Sequence, residues 1–66
     1  MYTIKNDSIF KTCQPITTTV RVLEINIFCN DGITTYVTYI QNTSVKTITL
    51  ELFIEQLEKC NAIQVC

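Results

Sequence analysis

The fold is decided by the stretch TTTVRVLEINIFCNDGITTYVTYI, which spans residues 17–40. It is rich in Thr, Ile and Val, and branching at Cβ favours strands over helices. The tripeptide Asn-Asp-Gly at 30–32 is typical of a hairpin, since Asp-Gly readily takes the positive φ angles of a two-residue loop. Gly32 is the only glycine in the chain. We therefore predict a hairpin whose two strands cover residues 17–29 and 33–40.

The first of these strands changes its apolar phase part of the way along. Val20 and Val22 alternate on one face, whereas Leu23, Ile25 and Ile27 alternate on the other. Because side chains on a strand alternate with period two, this switch indicates a bulge or a bend near Val22 and Leu23. Strands that bend in this way are typical of small, strongly curved barrels.

Two further strands flank the hairpin. Residues 8–13 alternate in polarity, and the Gln14-Pro15 pair that follows ends the strand, because proline lacks a backbone donor. A turn at 41–43 leads to residues 44–50, which carry the apolar side chains of a fourth strand. The middle of the chain is therefore predicted to run as an antiparallel meander.

The period changes from about Leu52 onward. Phe53, Leu57 and Cys60 are spaced as i, i+4 and i+7, which predicts one short amphipathic helix. Asn61 is a plausible left-handed stop for this helix, because asparagine tolerates positive φ. Residues 63–65 are then expected to add a last short strand to the sheet edge.

Length and composition favour one domain spanning residues 1–66. The chain is 47% hydrophobic and 17% charged, which is typical of a folded protein, although so short a chain buries only a small core. The formal net charge is −1, and the five basic residues are scattered along the sequence. Nucleic acid is therefore a disfavoured partner, since its binders usually gather cations against the phosphates.

The sequence carries no signal-peptide pattern and no apolar run of the roughly 20 residues that span a membrane. We expect a cytoplasmic protein, in the host cytoplasm if it is phage-encoded. Thiols stay reduced in that compartment, so the four cysteines are interpreted as thiols rather than as a disulfide framework. They are Cys13, Cys29, Cys60 and Cys66.

Residue types argue against catalysis and against a bound cofactor or metal. Histidine is absent, which removes the commonest general base and the commonest metal ligand. The cysteines do not form the close pairs of structural zinc sites, and a phosphate-binding loop needs several glycines. We therefore predict a protein that is not an enzyme and has no catalytic, cofactor-binding or metal-binding residues.

Two groups of residues are candidates for contact with a protein partner. Glu51, Glu55 and Glu58 lie together on the predicted helix, where the simpler interpretation is a solvated face with an i,i+4 pair between Glu55 and Lys59. The second group belongs to an alternating Thr-rich surface, which is either the solvent face of a sheet or an uncharged platform for another chain. It comprises Thr34, Tyr36 and Thr38, with Thr17, Thr18, Thr19, Thr35 and Thr47 in the same pattern.

The order of these elements resembles the small SH3-like β-barrel modules of many uncharacterised bacterial and phage proteins. The resemblance covers roughly residues 8–63 and lies in apolar spacing. Its residues are Val20 and Ile25, the turn Asp31-Gly32, Tyr36-Val37, Val45 and Ile48, and Leu52-Phe53 followed by Glu55 and Leu57. It implies a mainly β (α+β) fold, an SH3-like barrel of four to five antiparallel strands with one short C-terminal helix. Two departures are Ile54, where those modules have a Thr or Ser cap, and the lack of Trp, which argues against proline-motif recognition.

These observations favour a non-enzymatic protein-binding module, for example a phage- or mobile-element-encoded inhibitor or accessory factor that acts on a host protein. One alternative is a small barrel that binds single-stranded nucleic acid, with Tyr2, Tyr36 and Tyr39 stacking on bases. Another is a homo-oligomeric structural protein, which the small core makes reasonable.

Overall fold

The computed structural model describes residues 2–29 and 31–66; Met1 and Asn30, the first residue of the predicted hairpin turn, lie outside it. Over these described residues, five antiparallel strands form one sheet in the order β4-β3-β2-β1-β5, with one helix between β4 and β5 in the chain. The predicted mainly β fold with a short C-terminal helix is confirmed. The elements are β1 Ile9–Lys11, β2 Thr19–Phe28, β3 Thr34–Gln41, β4 Ser44–Thr49, α1 Leu50–Lys59 and β5 Ile63–Gln64.

The sheet is open, because β4 and β5 form its two edges and do not pair with each other over the described residues. β2 and β3 pair along almost their full lengths, from Val20 opposite Gln41 to Phe28 opposite Thr34. Their distal half extends the molecule, whose longest dimension is 37 Å against 21 and 19 Å for the others.

The predicted change of phase in β2 is a β-bulge. Val22 lies opposite Tyr39 and Glu24 lies opposite Thr38, so Leu23 is the extra residue. After the bulge Ile25 pairs with Val37, a core residue. The bulge therefore returns Ile25 and Ile27 to the same face as Val20 and Val22, and one face of the sheet keeps its apolar character along the whole strand.

The core lies between that face and α1. The ring of Phe53 on the helix packs edge-on against Phe10 of β1 at 5.9 Å between centroids, and it lies 5.1 Å from Tyr39 of β3. Burial of each such side chain stabilises the fold by about 1.5–3 kcal/mol. The buried apolar residues are Phe10, Val20, Val22, Val37, Tyr39, Phe53, Leu57 and Ala62.

Helix α1 begins earlier than predicted. Thr49 is its N-cap, and the Thr49 hydroxyl accepts a hydrogen bond from the Leu52 amide at 3.4 Å. The expectation that the helix starts near Leu52, and that Ile54 leaves it without a cap, was therefore wrong. The cap residue also ends β4, so one threonine closes the strand and opens the helix.

The predicted stop at Asn61 is confirmed. Asn61 has φ of 48° and its amide donates to the Glu58 carbonyl at 3.1 Å. The Ala62 amide donates to the Leu57 carbonyl at 2.9 Å. These two bonds form a Schellman motif, which satisfies carbonyls that the end of a helix otherwise leaves free.

The two hairpins differ in their turns. The loop between β2 and β3 spans residues 29–33, so the predicted two-residue Asp-Gly turn was wrong, although Gly32 does take a positive φ of 123°. The turn between β3 and β4 has two central residues, Asn42 and Thr43, with φ of 51° and 66°. Positive φ at both positions is typical of a type I′ turn.

Of the residues that the structure describes, three are polar and buried: Ser8, Thr12 and Thr18. The assignment of Thr18 to a solvent-exposed threonine surface was therefore wrong, whereas its neighbours Thr17 and Thr19 are exposed. Ser8 accepts from the Lys5 amide and donates to the Thr3 carbonyl, each at 3.1 Å. Among the described residues, every buried side-chain nitrogen or oxygen has a hydrogen-bond partner.

Candidate functional site

The sheet has a second face, opposite α1, that the described residues do not cover. We call it the outer face. Among the described residues, alternation along the strands places twelve side chains of β2, β3 and β4 on it, and none of them is buried. They are Thr19, Arg21, Glu24, Asn26, Phe28, Thr34, Tyr36, Thr38, Ile40, Val45, Thr47 and Thr49.

An aromatic pair lies at the distal end of the outer face. The rings of Phe28 and Tyr36 meet edge to face, with centroids 5.3 Å apart, and Phe28 is 52% exposed. Phe28 pairs with Thr34 across the two strands. An open groove of ≈ 400 Å³ lies beside them. The groove is lined by Phe28, Asp31, Gly32, Thr34 and Tyr36. Exposed aromatic rings beside a groove are typical of protein-binding surfaces.

The β3 and β4 part of the outer face is apolar or hydroxylated away from the aromatic pair. Val45 of the edge strand is 58% exposed and pairs with Ile40. The hydroxyl oxygens of Thr38 and Thr47 lie 2.9 Å apart and form a cross-strand hydrogen bond. This bond holds the side chains on the middle of the face in fixed positions.

The outer face carries little charge. Its ionic side chains are Arg21, which pairs with Asp7 at 3.1 Å, and Glu24. One cation that already has a carboxylate partner offers little attraction to a phosphate backbone. Low charge and an exposed Phe28 ring fit contact with a protein better than contact with nucleic acid.

The predicted site residues do not come together. Thr34, Tyr36 and Thr38 lie side by side on the outer face, as alternation requires. Glu51, Glu55 and Glu58 are exposed on α1, which packs on the other side of the sheet. Glu55 is paired with Lys59 at 3.7 Å, and both side chains are largely exposed, so this pair contributes little to stability.

Sequence reasoning missed Phe28, the most exposed ring of the outer face. It follows Asn26 by two positions, so after the bulge it lies on the polar face of β2. The signal that would have identified it is the bulge itself, because the phase switch places Phe28 on the face opposite the core residues Val20 and Val22.

The core side of the sheet carries Tyr39, and burial raises the pKa of its phenol above the ordinary value of 10.0. The Tyr39 hydroxyl lies 3.4 Å from Oε1 of Gln56 and no carboxylate adjoins it in a hydrogen bond that the structure describes. Tyr39 is therefore a core residue with one polar contact, and it has no geometry for acid or base catalysis.

Among residues 2–29 and 31–66, the Cys, Asp and Glu side chains do not form a group of three or more that would hold a metal ion. Across the same residues no helix has both the length and the apolar character needed to cross a membrane.

Comparisons of the chain with protein-family models, with curated proteins and with solved structures give no match.

Proposed function

We propose that the chain is a non-enzymatic module that binds a protein partner through the outer face. The observation that carries this proposal is the exposed Phe28 ring, which packs on the half-buried Tyr36 beside the groove at the end of an uncovered, weakly charged sheet face. An aromatic side chain of this size normally lies in the core. Phe28 lies outside the core and exposes half of its surface to water. Contact with a partner would remove that surface from water.

The fold is proposed to be an open relative of the SH3-like barrel. Two features support this assignment: the last strand returns beside the first, and a long, bulged β2 pairs with strands on both sides. A barrel of this kind uses its sheet faces and loops as platforms for other molecules, which agrees with a binding role.

Within this proposal the module acts in the cytoplasm as an inhibitor or accessory factor on a host protein, as expected for a phage or mobile element. Such a protein works by occupying a surface, so its effect should saturate at a fixed ratio to the target. The outer face is preferred to the acidic face of α1, because the two lie on opposite sides of the sheet and, among the described residues, the exposed aromatic ring is that of Phe28 on the outer face.

The test compares three forms of the immobilised protein in a host lysate: the natural chain, the double variant Phe28→Ser/Tyr36→Ser, and Ile16→Ser. Ile16 is 62% exposed and lies in the loop before β2, roughly 30 Å along that strand from Phe28. It therefore controls for the loss of an exposed apolar side chain elsewhere. Circular dichroism of each variant confirms that it is folded.

We expect the natural chain and Ile16→Ser to retain the same host protein, and the double variant to bind it at least tenfold more weakly in a titration with the purified target. The titration should reach a fixed stoichiometry. If all three forms bind the host protein equally and the triple variant Glu51→Gln/Glu55→Gln/Glu58→Gln loses binding, the binding site lies on α1 and not on the outer face. Tight, salt-sensitive binding of single-stranded nucleic acid would replace the proposal with its alternative.

A further inference from the structure

The backbone brings Cys13 and Cys60 together at the start of the loop that joins β1 to β2. The Cys13 amide donates to the Cys60 carbonyl at 2.9 Å, and the next amide, that of Gln14, donates to the same oxygen at 3.2 Å. Cys60 is the C-cap of α1, and Cys13 lies two residues after β1. These bonds therefore attach the end of the helix to the end of the first strand.

A single hydrogen bond of this kind limits how far apart the two residues can lie. With ordinary backbone bond lengths, an N···O distance of 2.9 Å keeps the Cα atoms of Cys13 and Cys60 within about 6.8 Å. Disulfides span Cα separations of about 4.4–6.8 Å. The backbone therefore already has a spacing that a disulfide accepts.

The other two cysteines lie elsewhere. Cys66 exchanges backbone hydrogen bonds with Ile9, four residues before Cys13 and thus roughly 13 Å away along an extended strand. Cys29 follows the far end of β2. Cys13 and Cys60 are therefore the pair that the fold selects.

Both thiols are free in this structure, and neither is fully buried: Cys13 is exposed and Cys60 is half-buried. An exposed side chain changes rotamer within nanoseconds, so the Cys13 sulfur samples its rotamers without a change of fold. An oxidant in solution can also reach it.

From this juxtaposition we propose that Cys13 and Cys60 form a reversible intramolecular disulfide. With a low-molecular-weight disulfide such as oxidised glutathione as oxidant, the Cys13 thiolate attacks one of its sulfurs and releases one glutathione thiolate. The Cys60 thiolate then attacks the Cys13 sulfur of this mixed disulfide and releases the second. The protein loses two electrons and two protons, and one disulfide of the oxidant becomes two thiols.

The bond links the C-terminal end of α1 to β1 and closes a long loop of the chain. Crosslinks of this kind stabilise small domains chiefly by restricting the unfolded chain. The oxidised form should melt roughly 10 °C or more above the reduced form. This inference is independent of the proposed binding function, because the crosslink lies at the opposite end of β2 from Phe28.

The test uses the double variant Cys29→Ser/Cys66→Ser, which retains only the proposed pair. It is incubated in buffers of increasing ratio of oxidised to reduced glutathione, the remaining thiols are alkylated, and the intact protein is weighed by mass spectrometry. We expect a species two hydrogen atoms lighter with no alkyl groups, a proteolytic fragment that joins Cys13 to Cys60, and a higher melting temperature that dithiothreitol reverses.

The matched control is Cys13→Ser/Cys60→Ser, which keeps the other two cysteines and should show no internal crosslink under the same conditions. Two results would overturn the proposal. One is a Cys29→Ser/Cys66→Ser variant that accumulates glutathione adducts or stays fully alkylated at every ratio. The other is a crosslinked species whose melting temperature equals or falls below that of the reduced form.

Discussion

The hydroxyl oxygens of Thr12 and Thr18 lie 2.7 Å apart, in the interior of the loop that joins β1 to β2. The Thr12 hydroxyl donates to the Ile16 carbonyl at 3.0 Å and accepts from the Thr18 amide at 3.0 Å. The Thr18 oxygen accepts in turn from Nε2 of Gln41 at 2.7 Å. One hydroxyl therefore satisfies several buried groups, and the loop depends on it.

Thr12→Val should lower the free energy of unfolding by about 1–3 kcal/mol, because valine has the same shape but leaves the Thr18 amide and hydroxyl without an acceptor. Thr47→Val is the control, since its hydrogen bond to Thr38 is exposed and water can replace it. Urea unfolding of both variants measures the difference. Equal stability of the two would contradict the role assigned to Thr12.

Thr43→Gly should stabilise the protein by about 1 kcal/mol. Thr43 has φ of 66° in the type I′ turn, a conformation that costs a β-branched residue energy and that glycine adopts freely. The same change at Thr38, in the middle of β3, should instead destabilise by about 0.5–1 kcal/mol. Thermal melts of both variants give opposite shifts if the turn has the geometry described.

Phe53→Ala should cost about 3–5 kcal/mol, which is close to the whole stability of so small a domain. Phe53 is fully buried between Phe10 and Tyr39, so no neighbour can fill the space it leaves. Leu52→Ala, one position earlier and half exposed, should change stability far less. Circular dichroism at 25 °C would then show an unfolded chain for the first variant and a folded chain for the second.

Stability should fall at high pH through Tyr39. Burial raises the pKa of its phenol in the folded state above 10.0, so the unfolded chain loses this proton first. The contribution of Tyr39 is therefore complete below pH 10 and decreases as pH rises from there through the folded-state pKa. Tyr39→Phe should show a smaller decrease than the natural chain in unfolding titrations above pH 10; parallel curves would argue against the assignment.

The fold could be predicted from the sequence wherever the signal was local. The switch in the apolar alternation at Val22 and Leu23 predicted the bulge. Asn61 predicted the end of the helix, because few residues other than glycine and asparagine accept positive φ. The N-cap was missed because Thr49 also fits the alternation of β4. Where a strand runs directly into a helix, no turn residues mark the cap position in the sequence.

The candidate site was only partly predictable, for a physical reason. Thr34, Tyr36 and Thr38 share a face by alternation alone, so their proximity follows from the strand. The position of α1 on the opposite side depends on the packing of Phe53 against Phe10, a contact that joins residues far apart in the chain. The burial of Thr12 and Thr18 depends in the same way on tertiary contacts, and composition alone suggests that threonines face water.

The bulge at Leu23 sets the direction of the distal hairpin rather than the identity of its two faces. Deletion of that single residue would let β2 run with unbroken alternation, and Ile25, Asn26, Ile27 and Phe28 would keep their present sides and partners. The strand would lose the bend and the added twist that a bulge introduces. A codon lost there would therefore re-aim the projecting arm relative to the core in one mutational event, while every other side chain on it kept its place.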